Sequence, residues 1–194
     1  MTTLNLTGEL ERLIGGIVRL VPEFSHIDPQ QLLVCISTTR NGGIHGTYAK
    51  IHPLRFEGGA RTTTARRGRR TFTCTMPEVE YGGTQILYLI YFLVPRFLNL
   101  PLREKLITVF HELYHVSPLF NGDLRRFPGR NFAHGSSTKK YNALMGKLVD
   151  THIHGLEEKS LLAFLEGGMD ELRLRHSAIV GRKFAAPRMK VDPA

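Results

Sequence analysis

The run ILYLIYFLV at residues 86–94 carries nine apolar side chains with no charge among them. A helix that crosses a membrane needs about 20 such residues, and Pro95-Arg96 end this run far short of that. A strand wetted on one face would alternate apolar with polar residues, so TQILYLIYFLV (84–94), which contains this run, is predicted as one strand covered on both faces. A short core helix is the alternative reading. Either way the chain has to place material on both sides of this segment. Its 194 residues suffice for one well-buried core that does so.

The rest of the chain divides around that run. Leu6, Leu10, Leu13, Ile14, Ile17, Val18 and Val21 recur at helical spacing and predict an amphipathic helix over 4–21, which Pro22 ends. LLVCIST (32–38) reads as a buried strand, Gly42-Gly43 as a turn, and GTYAKIHPLRF (46–56) as the returning strand. RTFTCTM (70–76) alternates Phe72 and Cys74 against threonines, as a third strand would. Pro101 suits the first turn of a helix that Pro118 stops near Ser117. A polar loop leads to Gly135, and Ser136 or Ser137 caps a helix over TKKYNALMGKLVDTHIH. LEEKSLLAFLE predicts a further helix ended by Gly167-Gly168, and the tail 167–194 alternates in ELRLRH and VGRKFA, which predicts one or two strands. The order of helix, strands and helices predicts a single α+β domain over 1–194, with its core in about 4–166.

Charge and cysteine usage narrow the setting. The formal net charge is +9, and ARTTTARRGRRT gathers Arg61, Arg66, Arg67, Arg69 and Arg70 without an acid. Such a run attracts phosphate or other acidic surfaces, though a solvated hairpin tip is the plainer expectation. No aromatic alternates with the arginines, so no base-stacking platform is indicated. Cys35 and Cys74 are the only cysteines and form no CxxC pair, which removes a zinc ribbon and argues against a disulfide framework. The segment MTTLNLTGELERLIGGIVRLVPEF puts Glu9, Glu11 and Arg12 where a secretion signal needs an apolar centre. With no run of membrane-spanning length, a soluble cytoplasmic protein is expected.

The chemistry concentrates in HELYH at 111–115. Positions four apart on an α-helix lie about 40° from each other. His111, His115, Thr108 and Glu104 therefore share one side, with Leu102, Leu106, Val109, Leu113 and Val116 near the other. Two imidazoles on one face can fill two positions of a tetrahedral Zn²⁺. Glu112, about 100° round the helix, is turned aside from that pair and suits the role of a base beside a metal-activated water. Two unrelated surface histidines are the plain alternative.

A catalytic zinc site takes a third protein ligand and leaves one position open. The candidates are His134, Asp123, His152, His154, Glu157 and Glu158. His134 is favoured: it sits in NFAHGSS at the entry to the next helix, after a loop long enough to return to the metal. A carboxylate from the helices beyond is the alternative. His152 and His154, two apart, diverge on a helix, and His26, His45, His52 and His176 have no spaced partner.

HELYH on a helix that follows strands resembles the zincin metallopeptidases. More narrowly, FHELYHVSPLFNGDLRRFPGRNFAHGSS (110–137) resembles the small phage-type metallopeptidases, over roughly residues 100–140. The resemblance implies a zincin-like domain, a small twisted β-sheet packed against the histidine helix and further helices. It also implies His111, His115 and His134 as zinc ligands and Glu112 as the base. SprT-like proteases are a more distant similarity, without the C-terminal zinc ribbon that they often carry. The metzincin extension x-x-G-x-x-H is absent because Gly122 is displaced, and the motifs that accompany HExxH in peptide deformylases are missing.

The expected function is zinc-dependent hydrolysis of peptide bonds in a peptide or protein substrate. Glu112 would move the water's proton to the leaving amine, and Tyr141, Tyr114, Arg125 or Arg126 would offer a donor to the tetrahedral oxyanion. For Arg125-Arg126 the favoured role is structural, holding the ligand loop through Asp123 or helix carboxyl ends. The reading from another class is a nucleic-acid-associated binding module that uses the Arg61–Arg70 segment, or an inactive zincin with a structural metal or none.

Overall fold

The computed structural model describes residues 2–39, 46–128, 132–134, 137–158 and 160–194. The Gly42-Gly43 turn, His45 and a cap at Ser136 lie outside the described residues. In chain order the elements are β1 (Thr2–Asn5), α1 (Leu6–Leu20), β2 (Leu32–Thr38), β3 (Ala49–Pro53), β4 (Thr62–Arg67), β5 (Arg70–Thr75) and β6 (Val79–Tyr81). They continue with β7 (Thr84–Ile86), β8 (Tyr88–Val94), α2 (Leu102–Tyr114), α3 (Thr138–Glu158), α4 (Met169–Arg175), β9 (His176–Val180) and β10 (Lys190–Pro193). The architecture is α+β.

The apolar run forms β8, the middle strand of a three-stranded sheet β2-β8-β3, parallel to β2 and antiparallel to β3. Its alternate residues go to opposite faces. Tyr88, Ile90, Phe92 and Val94 join a core that also takes Leu10, Leu13 and Ile17 of α1, Leu106, Val109 and Phe110 of α2, and Met145 and Val149 of α3. Leu89 and Tyr91 meet a second cluster with Leu33, Cys35, Leu54, Val79 and Ile86, and Phe184 packs against it. Each fully buried side chain of this size contributes about 2 kcal/mol, so a polar residue anywhere in β8 would be a burden. That is why the run is unbroken.

Several boundaries depart from the sequence expectation, each for a local reason. Residues 2–5 form β1, which pairs in parallel with β9, and the helix begins only at Leu6 because the Asn5 side chain accepts from Gly8 N–H and caps it. The arginine-rich segment is the exposed hairpin tip expected of it, and its first arm is the full strand β4, antiparallel to β5, with β10 on the far side of β5. LEEKSLLAFLE does not make a separate helix, since α3 runs on through Glu158 and only Ala163–Leu165 turn as a 3₁₀ helix. ELRLR lies in α4 instead of a strand, and only His176 of that segment enters one, β9. Leu172 is buried while Leu174 is 76 % exposed, so the apparent alternation is one anchored helical residue and one wet one. VGRKFA contributes only Val180 to a strand, β9.

α2 ends at Tyr114, before Ser117, because the chain folds back immediately. Val116 and Leu124 form an antiparallel bridge, and Arg125 N–H donates to His115 O at 2.7 Å. The turn inside is fastened to the sheet by the Tyr88 hydroxyl, which donates to Asp123 O at 2.8 Å and accepts from Gly122 N–H at 3.0 Å. Gly122 sits at φ +84°, and a Cβ there would lie 2.5 Å from Arg55 Cγ. Gly122→Ala is expected to cost about 2–3 kcal/mol through backbone strain and this clash, a fall of roughly 5–10 °C in Tm. Thermal unfolding followed by circular dichroism checks it, and an unchanged Tm would show that the turn is free to move away.

Candidate metal centre

The helix register puts both histidines of HELYH at the C-terminal end of α2, and the chain beyond it returns His134 to them. His115 Nε2 lies 3.0 Å from His111 Nε2, and His134 Nε2 lies 3.2 Å from the same atom. All three rings offer ligand atoms within 4.8 Å of one another. Nitrogens held at about 2.05 Å from a tetrahedral zinc are separated by about 3.3 Å. The two separations from His111 match that value, and the donor set, three imidazoles, is one that zinc accepts.

The protonation states suit a cation as well. Burial, followed by the neighbouring His111 and His134, holds His115 down at about 3. Burial also lowers His111, against the opposing hydrogen bond from Asn142. Both rings are therefore neutral near pH 7, with lone pairs free for a metal. His111 Nδ1 lies 2.9 Å from Asn142 Oδ1. A proton on Nδ1 donated to that carbonyl leaves Nε2 as the lone pair facing the other two rings.

Tyr141 of α3 packs its ring against all three, with centroids 4.7 Å from His111, 5.3 Å from His115 and 5.1 Å from His134. Its hydroxyl donates to His111 O at 3.3 Å, and burial, then Glu112, raises its pKa so that it keeps its proton. Ser137 caps this helix by accepting from Lys140 N–H at 3.3 Å, which sets the register that aims Tyr141 and Asn142 at the centre. Sequence reading named Tyr141 only as an oxyanion donor and passed over Asn142. The signal available was their place one turn after the cap next to His134. Tyr141→Ala is expected to weaken zinc affinity by about 10–100-fold, whereas Tyr141→Phe, which keeps the ring, should stay within a few-fold. Competition with a chromophoric chelator measures both, and equal losses would assign the effect to the hydroxyl.

Glu112 is only 6 % exposed. Burial raises its carboxyl to about 8, partly offset by the Ile51 backbone N–H that it accepts. The wheel placed the histidines on a polar face, yet His115 and Glu112 are both buried, as is Lys105, whose ammonium donates to Leu165 O and Gly167 O at 2.6 Å each.

The other sequence candidates lie elsewhere. Asp123 accepts from Gly58 N–H, Leu124 N–H and two nitrogens of Arg126, all at 2.7–3.0 Å, and is committed to the turn. Arg126 is correspondingly tied down by Asp123 and by Glu57 at 3.6 Å. It is the clamp on the ligand loop that the sequence reading favoured over an oxyanion donor. Arg125 donates to Tyr114 O and stacks on the Tyr114 ring. His154 pairs with Glu157 at 3.2 Å, apart from the centre, and His152 does not join the three.

Comparisons with protein-family models, with curated proteins and with solved structures find no match to this chain.

Proposed function

We propose that the protein is a zinc-dependent peptidase, with His111, His115 and His134 holding the metal and Glu112 as the general base. The observation that carries this reading is the convergence of three imidazole nitrogens beside one buried carboxyl. When bound, zinc supplies a Lewis acid for the scissile carbonyl and for the attacking water. Glu112 accepts a proton from that water as the new C–O bond forms and delivers it to the amine nitrogen as the C–N bond breaks. A dication nearby favours its ionised form over the neutral one that burial alone would select.

The sheet supports a way to hold an extended substrate. Tyr48 and Leu54 bond to β8, and the two-residue alternation therefore turns the backbone groups of Ala49, Ile51 and Pro53 to the other side. Among the described residues β3 has no strand on that edge. Glu112 takes Ile51 N–H, which leaves the Ala49 groups and Ile51 C=O for strand addition by a peptide.

The test is cleavage of a degenerate peptide library and an unfolded protein by the purified chain. Activity should vanish on chelation and return with one zinc per chain. Stoichiometric zinc with no cleavage of any peptide would overturn the reading.

A further inference from the structure

The arginine-rich ribbon takes no part in the chemistry above, and its construction is hard to explain by folding alone. Arg61 pairs with Glu78 at 2.8 Å. Arg66, Arg67, Arg69 and Arg70, at the tip of the β4–β5 hairpin, are exposed and form no ion pair among the described residues. Arg67 and Arg70 stand directly opposite each other in the ladder. Like charges in that position destabilise a hairpin, so nothing in the ribbon's own stability calls for them. Gly68, at φ +61°, is the first central residue of the two-residue turn, as a tight hairpin of type II′ requires.

Register sorts the remaining side chains. Thr62, Thr64 and Arg66 of β4 share one face with Thr71, Thr73 and Thr75 of β5. That face offers hydroxyls and a guanidinium, and β10 adds the paired Lys190 and Asp192 beside Thr75 and Thr73, with no aliphatic or aromatic side chain to enter a lipid headgroup layer. Arginine and threonine are among the side chains that bind phosphate oxygens. β10 lines β5 over Phe72–Thr75, so the tip around Arg66–Arg70 is the part that projects as a two-stranded ribbon, of a size that the major groove of B-form DNA admits. The base of the ribbon is rigidly held: Met76 N–H donates to Arg61 O at 2.9 Å, and Gly58 N–H donates to Asp123, the same carboxylate that Arg126 clamps.

We propose that the β4–β5 ribbon is a contact for duplex DNA, with Arg66, Arg67, Arg69 and Arg70 on the phosphate backbone and the threonine face supplying further hydrogen bonds. The binding is electrostatic and independent of base sequence, and it stands whether or not the histidine centre is a peptidase.

Fluorescence anisotropy with a labelled 20-base-pair duplex, titrated across salt concentrations, tests this. Four phosphate contacts predict a slope of log K against log salt of about −3.6, or roughly a 150-fold loss of affinity between 50 and 200 mM salt. R66Q/R67Q/R69Q/R70Q should flatten the slope by about that amount, with an unchanged circular dichroism spectrum showing that it is folded. No binding by the unaltered chain at 50 mM salt overturns the proposal, and so does a quadruple variant with the original slope. Equal or tighter binding of phosphatidylserine vesicles or polyglutamate also overturns it, because it would assign the ribbon to a lipid surface or an acidic peptide.

Discussion

Glu112→Gln should leave one zinc per chain in place and lower peptide hydrolysis by about a thousandfold. The amide matches the carboxylate in shape, so the three histidines and the surrounding packing are undisturbed. What it lacks is the ability to take a proton and give it back. The same substitution should have the opposite effect on the fold of the metal-free chain. The folded carboxyl titrates near 8 instead of 4.5, so between those values the folded state binds more protons than the unfolded one. Stability from this group is therefore present below pH 4.5 and lost as pH rises through 8. At pH 8.5 the metal-free Gln variant should melt higher than the original by about 5 °C or more. Hydrolysis that survives the substitution would remove Glu112 as the base, and loss of zinc would make it a ligand.

Zinc itself should shift the melting temperature of the metal-free chain by about 8–16 °C when the free ion exceeds its Kd a thousandfold. His115→Ala should abolish most of that shift, since it removes the most deeply buried ring of the three. His134→Ala should reduce it by leaving a two-ligand site, and His154→Ala, remote from the centre, should change nothing. A full shift in His134→Ala would put the third ligand elsewhere. Acid works against the same centre. His115 titrates near 3 when folded and near 6.5 in its ordinary state, so the unfolded chain binds the extra proton. Its contribution to stability is present above pH 6.5 and lost as pH falls toward 3. The metal-free chain should accordingly unfold more readily as it is acidified through that window.

How far the sequence could be read depended on whether neighbours or distant contacts decided each element. β2 was legible to the residue, and β8 in kind and at its end, because burial on both faces leaves only apolar side chains; the single strand expected over 84–94 is divided at Leu87, since β7 pairs with β6 instead. The histidine helix was legible because its spacing carries its own geometry. Residues 2–5 were misread because β1 exists only through β9, more than 170 positions away. α4 was misread because Leu172 and Leu174 alternate in sequence while only tertiary packing decides which is buried. Asn142 and the ring contacts of Tyr141 escaped notice for the same reason: they belong to a neighbouring helix whose placement no local pattern reveals. Asp123 was read partly as a ligand, and it is instead the hub that Gly58, Leu124 and Arg126 share.

The hydrogen bond between Glu112 and Ile51 also bears on self-association. An open strand edge invites the same edge of another molecule, and copies that pair in this way form aggregates. On β3 the outward row begins at Ala49, is occupied at Ile51 by Glu112, and ends at Pro53, which has no N–H to give. What remains, the Ala49 groups and Ile51 C=O, suits a short extended segment and not the long ladder that two copies would need to zip together. Replacing Glu112 with leucine would free the Ile51 donor, and the chain is expected to be more prone to precipitate.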